Sequence, residues 1–476
     1  MTQAAGLILD RMDTGTGAVI AGGRRTAAAE IRARALGLGG WFTQRGVRPG
    51  DRVLLLVPPG PELAAALLGL VWAGAVPVLL EPGQAAGAWL ARVAAVAPRF
   101  AVVDPRLRWV WSVPGAVSLA QRRWPGLPPR PPVELITLPR RVRGEAQAVP
   151  RDDTDEALIL FTSGTTSAPR AVLHTHGSLP HFLGNVAAAV DGLAVGSYLA
   201  ETPQQIFYAL LLGSTCHVVS GQGEVRLRRT LEVLRSGQVE AWFGSPWTWV
   251  RWLEGGWPVP PGLRTVLLGS APVSRPFLRR LIGAVPAQTA VRGVYGLTEA
   301  GPVTLFDGAE KAARDGEGDW VGYPLPGVAL HLDQQQVMVS TKALASGYLG
   351  ETPLGDWLRT GDLGRYSDAE GLTLIGRAKD MMIRRGINLY PGVLEPLLHE
   401  LVEDAALVGV YDGQREDERV VLAVVGEPPA GLDALLGDAA PDHVLRLDAL
   451  PRAGRQNKVD KEALRAAARA RFGIPE

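Results

Sequence analysis

Residues 162–170 read TSGTTSAPR: Thr162, Ser163, Gly164, Thr165, Thr166 and Ser167 make a hydroxyl-rich loop closed by Pro169 and Arg170. Small residues let backbone N–H groups converge on an anion, the hydroxyls add donors, and Arg170 adds a fixed positive charge. An ordinary hairpin turn has the same composition, because Ser, Thr, Gly and Pro favour turns for local reasons. A Walker-type loop is excluded: no Gly-Lys-Ser/Thr follows, and a β-prone run, 171–173, stands where that loop would open a helix.

A second stretch, 294–304 (VYGLTEAGPVT), sets the aromatic plane of Tyr295 beside Gly293 and Gly296, which permit close backbone approach. Tyr295 suits stacking on a purine, Thr298 can donate to phosphate, and Glu299 is a hard oxygen ligand of the kind Mg²⁺ prefers. A strand end running into a turn has the same pattern. The third stretch, 359–366 (RTGDLGRY), holds Asp362 in a Gly-flanked turn, where a carboxylate can accept two ribose hydroxyls or make an Asx turn. Near the end, 450–461 (LPRAGRQNKVDK) delivers Lys458 on a basic loop ahead of a helical pattern. Only five of the 49 basic residues are lysines: Lys311, Lys342, Lys379, Lys458 and Lys461. Lysine is a rotatable point charge and arginine a planar fork, so a lysine kept in so arginine-rich a chain suggests a need for the point charge.

The elements that must position these residues read as α/β. Strand patterns at 51–57, 76–80, 100–103 and 239–243 alternate with helical ones at 61–73, 88–97 and 227–236, and Ser245 and Pro246 cap a further helix. Residues 104–155 are rich in Pro and Arg and read as an irregular surface connection with an edge strand. From 328 to 339 the period becomes two, antiparallel in character, and past Gly376 a unit of about 100 residues begins, with a strand at 406–411 and helices around 393–402 and 459–471.

At 476 residues the chain exceeds one core, so two or more domains are expected. A hydrophobic content of 47% with 20% charged residues reads as globular, and a net charge of +1 gives no electrostatic case for a nucleic-acid or membrane partner. The single Cys216 excludes a disulfide framework and a cysteine-rich metal site, and fits a reducing cytoplasm. The first 30 residues carry no signal-peptide pattern. The apolar run 63–80 has transmembrane length, but Gly69, Gly74 and Pro77 interrupt it, and a buried helix, turn and strand are expected there.

Together these stretches have the order and spacing of one family. From about residue 30 to its end the chain resembles the adenylate-forming enzymes, which include acyl-CoA synthetases, peptide-synthetase adenylation domains and luciferases. FTSGTTSAPRAV (161–172) resembles their phosphate loop, LLGSAPV (267–273) the adenine-pocket strand end and VYGLTE (294–299) the adenine-stacking and magnesium motif. TGD (360–362) resembles the ribose motif, GRAKD (376–380) the interdomain hinge and RAGRQNKVDK (452–461) the catalytic-lysine loop. The resemblance implies an α/β fold: a large N-terminal domain, 1–376, of parallel-rich sheets covered by helices plus a β-barrel-like part, and a small mobile α+β C-terminal lid domain, 377–476.

It also implies roles. Thr162, Ser163, Gly164, Thr165, Thr166 and Arg170 would hold the β- and γ-phosphates of ATP, and Gly269, Ser270, Ala271, Gly293, Tyr295 and Gly296 would line the adenine site. Thr298 would touch the α-phosphate, Glu299 would bind Mg²⁺, Asp362 with Arg377 would fix the ribose, Lys379 would be the hinge and Lys458 the catalytic cation. Attack of a carboxylate on the α-phosphorus brings two anions together, and a point charge reaching both lowers that barrier.

The implied reaction is ATP-dependent activation of an apolar (fatty or aryl) carboxylic acid as acyl-adenylate, with release of pyrophosphate, then transfer to coenzyme A. GINLYP (386–391) resembles the acyl-CoA synthetase form of the lid. Aminoacyl-activating relatives pair the substrate ammonium with an aspartate, whereas no aspartate lies between Glu201 and Leu231, Glu224 is the only acid inside that span, and Ile206 replaces the usual histidine. Two alternatives stay open. WFGSPW (242–247) and LTEAGPV (297–303) resemble β-lactone synthetases, which use no thiol, and an acyl carrier protein is another acceptor. Ser167 and Ala171 stand at family glycines, which leaves a catalytically reduced nucleotide-binding protein as the other.

Overall fold

The computed structural model describes residues 4–80, 86–113, 116–117, 120, 127–142, 144–161, 170–219, 223–399, 401–453 and 458–475. Thr162, Ser163, Gly164, Thr165, Thr166 and Ser167 lie outside the described residues.

Strand runs that are apolar on both faces need cover on both, and the chain provides it in layers. A seven-stranded sheet runs Gly347–Tyr348, Ala171–Thr175, Glu156–Phe161, Val76–Leu79, Arg52–Leu56, Phe100–Val103, Glu134–Thr137. Its last five strands are parallel, and Ala171–Thr175 returns antiparallel to Glu156–Phe161. In the thirteen-stranded sheet, Thr215–Val218, Ser197–Ala200, Ala241–Gly244, Thr265–Leu268 and Ala290–Leu297 form the parallel centre. Helices Ala4–Thr14, Ala28–Gln44, Pro61–Trp72 and Gln204–Leu212 lie in the core that joins the two sheets, against Val53 and Leu55 on one side and Tyr198 and Phe243 on the other. Alternate strand residues turn the other way: Leu54, Val76 and Val78 pack against Trp89 and Val93, and Trp242, Val266 and Leu268 against Trp249, Trp252 and Leu278. Trp242, Trp249 and Trp252, from the stretch 242–257, are fully buried and supply core.

From Gly301–Asp307 onward the large sheet is antiparallel, and Val328–Asp333, Gln336–Thr341, Leu358–Ser367, Gly371–Arg377 and Asp319–Pro324 curl around Val303, Val321, Val337, Val339 and Leu372. This is the β-barrel-like part. Gly322 sits inside it at φ +87°, where an added Cβ would lie 1.9 Å from the Leu305 carbonyl oxygen, so only glycine lets these strands approach.

The apolar run at 63–80 resolves into the 12-residue helix Pro61–Trp72, a turn through Gly74 at φ +75° and the strand Val76–Leu79. No helix among the described residues is long and apolar enough to cross a membrane. The irregular connection expected at 104–155 contains a helix, Pro105–Ser112, besides its edge strand Glu134–Thr137. The signal was present locally: Asp104 accepts a hydrogen bond from the Arg106 backbone at 2.8 Å, and Pro105 opens the helix.

Beyond Gly376 a short 3₁₀ turn, Ala378–Asp380, leads to a hairpin, Met382–Arg384 with Ile387–Leu389. A three-stranded sheet follows, Ala405–Asp412, Asp417–Val425 and His443–Leu447, with Pro391–Leu398 and Leu432–Leu436 on one face and Lys461–Phe472 on the other. Both clusters of this segment draw their residues from 382 to 474 alone.

Candidate active site

Gly269, Ser270, Ala271, Thr298 and Glu299 lie just past the carboxyl ends of parallel strands of the large sheet, where open α/β sheets bind ligands. Gly269, Ser270 and Ala271 follow Thr265–Leu268, and Ser270 holds φ +73°, a left-handed conformation that costs a non-glycine residue free energy and clusters at functional sites. Gly293 and Gly296 lie in Ala290–Leu297, but the close approaches they permit are internal. A Cβ at Gly293 would meet the Phe306 ring at 2.1 Å, and one at Gly296 the Gly301 carbonyl oxygen at 2.4 Å.

Two constellations form around them. In the first, the Tyr295 hydroxyl donates to Asp362 Oδ2 at 2.7 Å, and Arg377 Nε meets Asp362 Oδ1 at 2.7 Å. Asp362 and Arg377 are register partners on adjacent antiparallel strands, and the Asp362 backbone N–H donates to Thr360 Oγ1 at 3.0 Å. Burial pushes the Asp362 carboxyl above its usual range, while Arg377, Tyr295 and Lys458 act to hold it down. Lys458, on the short strand Lys458–Val459, lies near enough for the exchange to be mutual. Burial and Arg377 lower its pKa, Asp362 raises it and Lys379 lowers it. Burial and the Asp362 carboxylate push the Tyr295 phenol well above its ordinary value, so it remains a donor.

In the second, Glu299 is 7% exposed in the turn after Ala290–Leu297, and its Oε1 accepts from the Tyr348 hydroxyl at 2.7 Å. The Arg170 guanidinium lies over the Tyr348 ring, 3.6 Å from its centroid, and pairs with Glu351 at 3.2 Å. Thr298 is held by its backbone: His174, fully buried on Ala171–Thr175, donates from Nε2 to the Thr298 carbonyl oxygen at 2.9 Å. A carbonyl only accepts, so Nε2 carries the proton, and Nδ1 is buried without a hydrogen-bond partner among the described residues.

Burial lowers the His174 pKa from 6.5 to about 4. Between those values the unfolded chain binds a proton and the folded one does not, so this contribution to stability is complete above pH 6.5 and is lost as pH falls. The His174→Gln variant is expected to lack about 3 kcal/mol of the fall in stability between pH 6.5 and 4, read as urea midpoints across that interval. An unchanged slope would contradict the assignment.

Sequence reasoning passed over Tyr348 and His174, since neither a Gly-Tyr pair nor a histidine in a strand announces a distant partner. Lysine scarcity also proves a looser guide than expected. Lys311 is buried in an ion pair with Asp319 and lies over Phe306, and Lys461 pairs with Glu395 at 2.8 Å, so two of the lysines hold structure together. Lys379 follows the last strand of the large sheet and lines a cavity of about 220 Å³ with Met381, Tyr411, Glu418, Arg465 and Arg469, while its charge still reaches Lys458 and Arg377. Ile206, at the position of the usual histidine, is buried in the core between the sheets. Glu201 accepts from Trp242 Nε1 at 2.9 Å and Thr248 Oγ1 at 3.0 Å, which ties its carboxylate to the wall of the large sheet.

The AMP-binding enzyme family matches residues 11–349, a stretch that contains Arg170, Tyr295 and Glu299. The chain belongs to that family. As an AMP-binding enzyme it is an adenylate-forming, acyl-CoA synthetase-like protein. It is 30% identical to triostin synthetase I of Streptomyces triostinicus, across 95% of this chain and 91% of that one. It is 27% identical to a feruloyl-CoA synthase of an Amycolatopsis species, across 84% of each. Its fold is that of the o-succinylbenzoate coenzyme A synthetase of Bacillus subtilis solved with ATP and magnesium, with a TM-score of 0.77 and 20% identity over 96% of this chain and 98% of the other.

Proposed function

We propose that this AMP-binding enzyme joins an apolar carboxylic acid to the adenylyl group of ATP, releases pyrophosphate, and then passes the acyl group to coenzyme A. The observation that carries the reading is the convergence of Tyr295, Asp362, Arg377 and Lys458, from separate segments, on one partly buried charge cluster. An aspartate already held by an arginine and a phenol is oriented to accept ribose hydroxyls, and Tyr295 flanks the purine. Lys458 neutralises charge as the carboxylate oxygen bonds to the α-phosphorus and the bond to the pyrophosphate oxygen breaks. Thr162, Ser163, Gly164, Thr165, Thr166 and Arg170 cradle the β- and γ-phosphates, with Gly269, Ser270 and Ala271 beside the purine and Thr298 at the α-phosphate. For the residues before Arg170 the role rests on the sequence.

Glu299 fits Mg²⁺: Tyr348 fixes one oxygen, and no hydrogen bond engages Oε2 among the described residues. A bound Mg²⁺ would neutralise phosphate charge, and one carboxylate with substrate oxygens is its usual protein environment. Residues 1–376 would form the adenylation domain and 377–476 a lid turning about Lys379, within the cytoplasm. The preference for an apolar acid rests on Glu201, whose oxygens are taken up by Trp242 and Thr248 rather than offered to an ammonium group.

A graded series of fatty and aryl acids tests the reading through acid-dependent exchange of pyrophosphate into ATP, followed by product analysis with and without coenzyme A. Exchange with apolar acids and a coenzyme A thioester product are expected. Exchange with no acid would leave a nucleotide-binding protein. A released lactone or free acyl-adenylate, or transfer only to a carrier protein, would overturn the coenzyme A step alone.

A further inference from the structure

Tyr348 belongs to none of the stretches whose residue types suggest chemistry, yet its side chain touches both Glu299 and Arg170. Its backbone lies in the two-residue strand Gly347–Tyr348, paired antiparallel with Ala171–Thr175, Tyr348 opposite Val172. Ala171 follows Arg170 directly in the chain. Flanking hydrogen bonds fix the segment: Ser346 N–H to the Leu173 carbonyl oxygen and Leu349 N–H to that of Ala171, both at 2.9 Å. A third, from Ala345 N–H to the Glu299 carbonyl oxygen at 2.7 Å, ties it to the turn that carries the carboxylate. Tyr348 is 8% exposed, its ring packed with Val172 and Ala345.

From this fixed position the two ends of the side chain do different work. The hydroxyl donates to Glu299 Oε1 at 2.7 Å. That bond draws one carboxylate oxygen back and sets the direction of the other. The ring face carries the Arg170 guanidinium at 3.6 Å, a cation–π contact in the shelter of a buried ring. Arg170 also pairs with Glu351, which is about as exposed as Arg170 itself (47% and 49%), and a pair of that kind contributes little. Arg170 can therefore exchange Glu351 for a phosphate while staying seated on the ring.

We infer that Tyr348 is a positioning residue that aims Glu299 at a divalent cation through its hydroxyl and seats Arg170 for the triphosphate through its ring, so that cation binding and nucleotide binding are coupled through one side chain. The inference rests on the nucleotide reading of the site, and it separates the two functions of the tyrosine by atom. Removing the hydroxyl should affect only the cation. Removing the ring should affect both.

Calorimetric titration of ATP into the wild type, Tyr348→Phe and Tyr348→Leu, each with EDTA and then with Mg²⁺, tests this without recourse to turnover, and Mn²⁺ binding to the ATP complex read by electron paramagnetic resonance gives a second readout. In Tyr348→Phe the affinity for metal-free ATP should match the wild type, while the enhancement by Mg²⁺ and the affinity for Mn²⁺ fall by about tenfold, the size expected for one hydrogen bond to a charged group. In Tyr348→Leu the metal-free affinity should fall as well. Thermal melts separate these patterns from loss of fold, because general loosening would lower the metal-free affinity of the Phe variant too. A Phe variant with wild-type Mg²⁺ enhancement, or one that loses metal-free affinity as the Leu variant does, overturns the inference while leaving the site reading intact. A wild type that binds no ATP under either condition overturns the site reading and the inference with it.

Discussion

Replacing Lys458 with alanine is expected to lower acid-dependent exchange of pyrophosphate into ATP by about 10²–10³-fold, the range found when a preorganised charge partner of a transition state is removed. ATP affinity should change by much less. The reason lies in where the charge is needed. Asp362 and Arg377 already form a pair at 2.7 Å, so the nucleotide keeps those partners in the variant, whereas the charge that builds up between the incoming carboxylate and the α-phosphate loses its counter-ion. Lys458→Arg should rescue poorly, because a planar fork in a partly buried cluster that already contains Arg377 cannot take the place of a rotatable point charge. Exchange persisting at wild-type rate in Lys458→Ala would assign the catalytic cation elsewhere, and Lys379 would be the next residue to test.

The second large effect is expected at Asp362. Asp362→Ala should weaken ATP binding by about 100-fold, since it removes the proposed ribose acceptor and also leaves the Tyr295 phenol, a buried donor, without its partner. The ion-pair share of that loss is modest. Arg377 has 48% of its side chain exposed, so water can replace the lost carboxylate there. Asp362→Asn separates the contributions: the amide oxygen still accepts from Tyr295, so melting behaviour should stay near wild type while ATP affinity drops. Equilibrium binding together with thermal unfolding distinguishes them, and an Asn variant with undiminished ATP affinity would remove the ribose role from this residue.

Both predictions concern residues that stood out in the linear chain because their local setting was unusual: an aspartate between glycines, a lysine in an arginine-rich sequence. The layered α/β architecture was legible for a related reason. Strand runs such as 52–56 and 100–103 are apolar on both faces, which only a sheet covered on both sides can satisfy, and the turn through Gly74 divides an apolar run too broken to span a membrane. Where expectation fell short, the cause was local chemistry passed over, as at Asp104 and Pro105, or a glycine whose reason lay across the sheet. Gly293 and Gly296 invite a ligand when read along the chain, but their missing side chains make room for Phe306 and for the Gly301 carbonyl.

Side-chain partnership is what the linear order could not contain. Tyr348 is 49 positions from Glu299, and Thr298 is 124 from His174. Nothing in residue type predicts these meetings, because they depend on how the strand Ala171–Thr175 is shared between the small sheet and the turn that closes Ala290–Leu297. Residue types and their spacing therefore determined the family, the reaction class it implies and most of the groups proposed to handle a nucleotide. The tertiary structure alone decided which of those groups are held, by what and in which direction, since hydrogen-bond direction and burial are properties of atoms brought together through space.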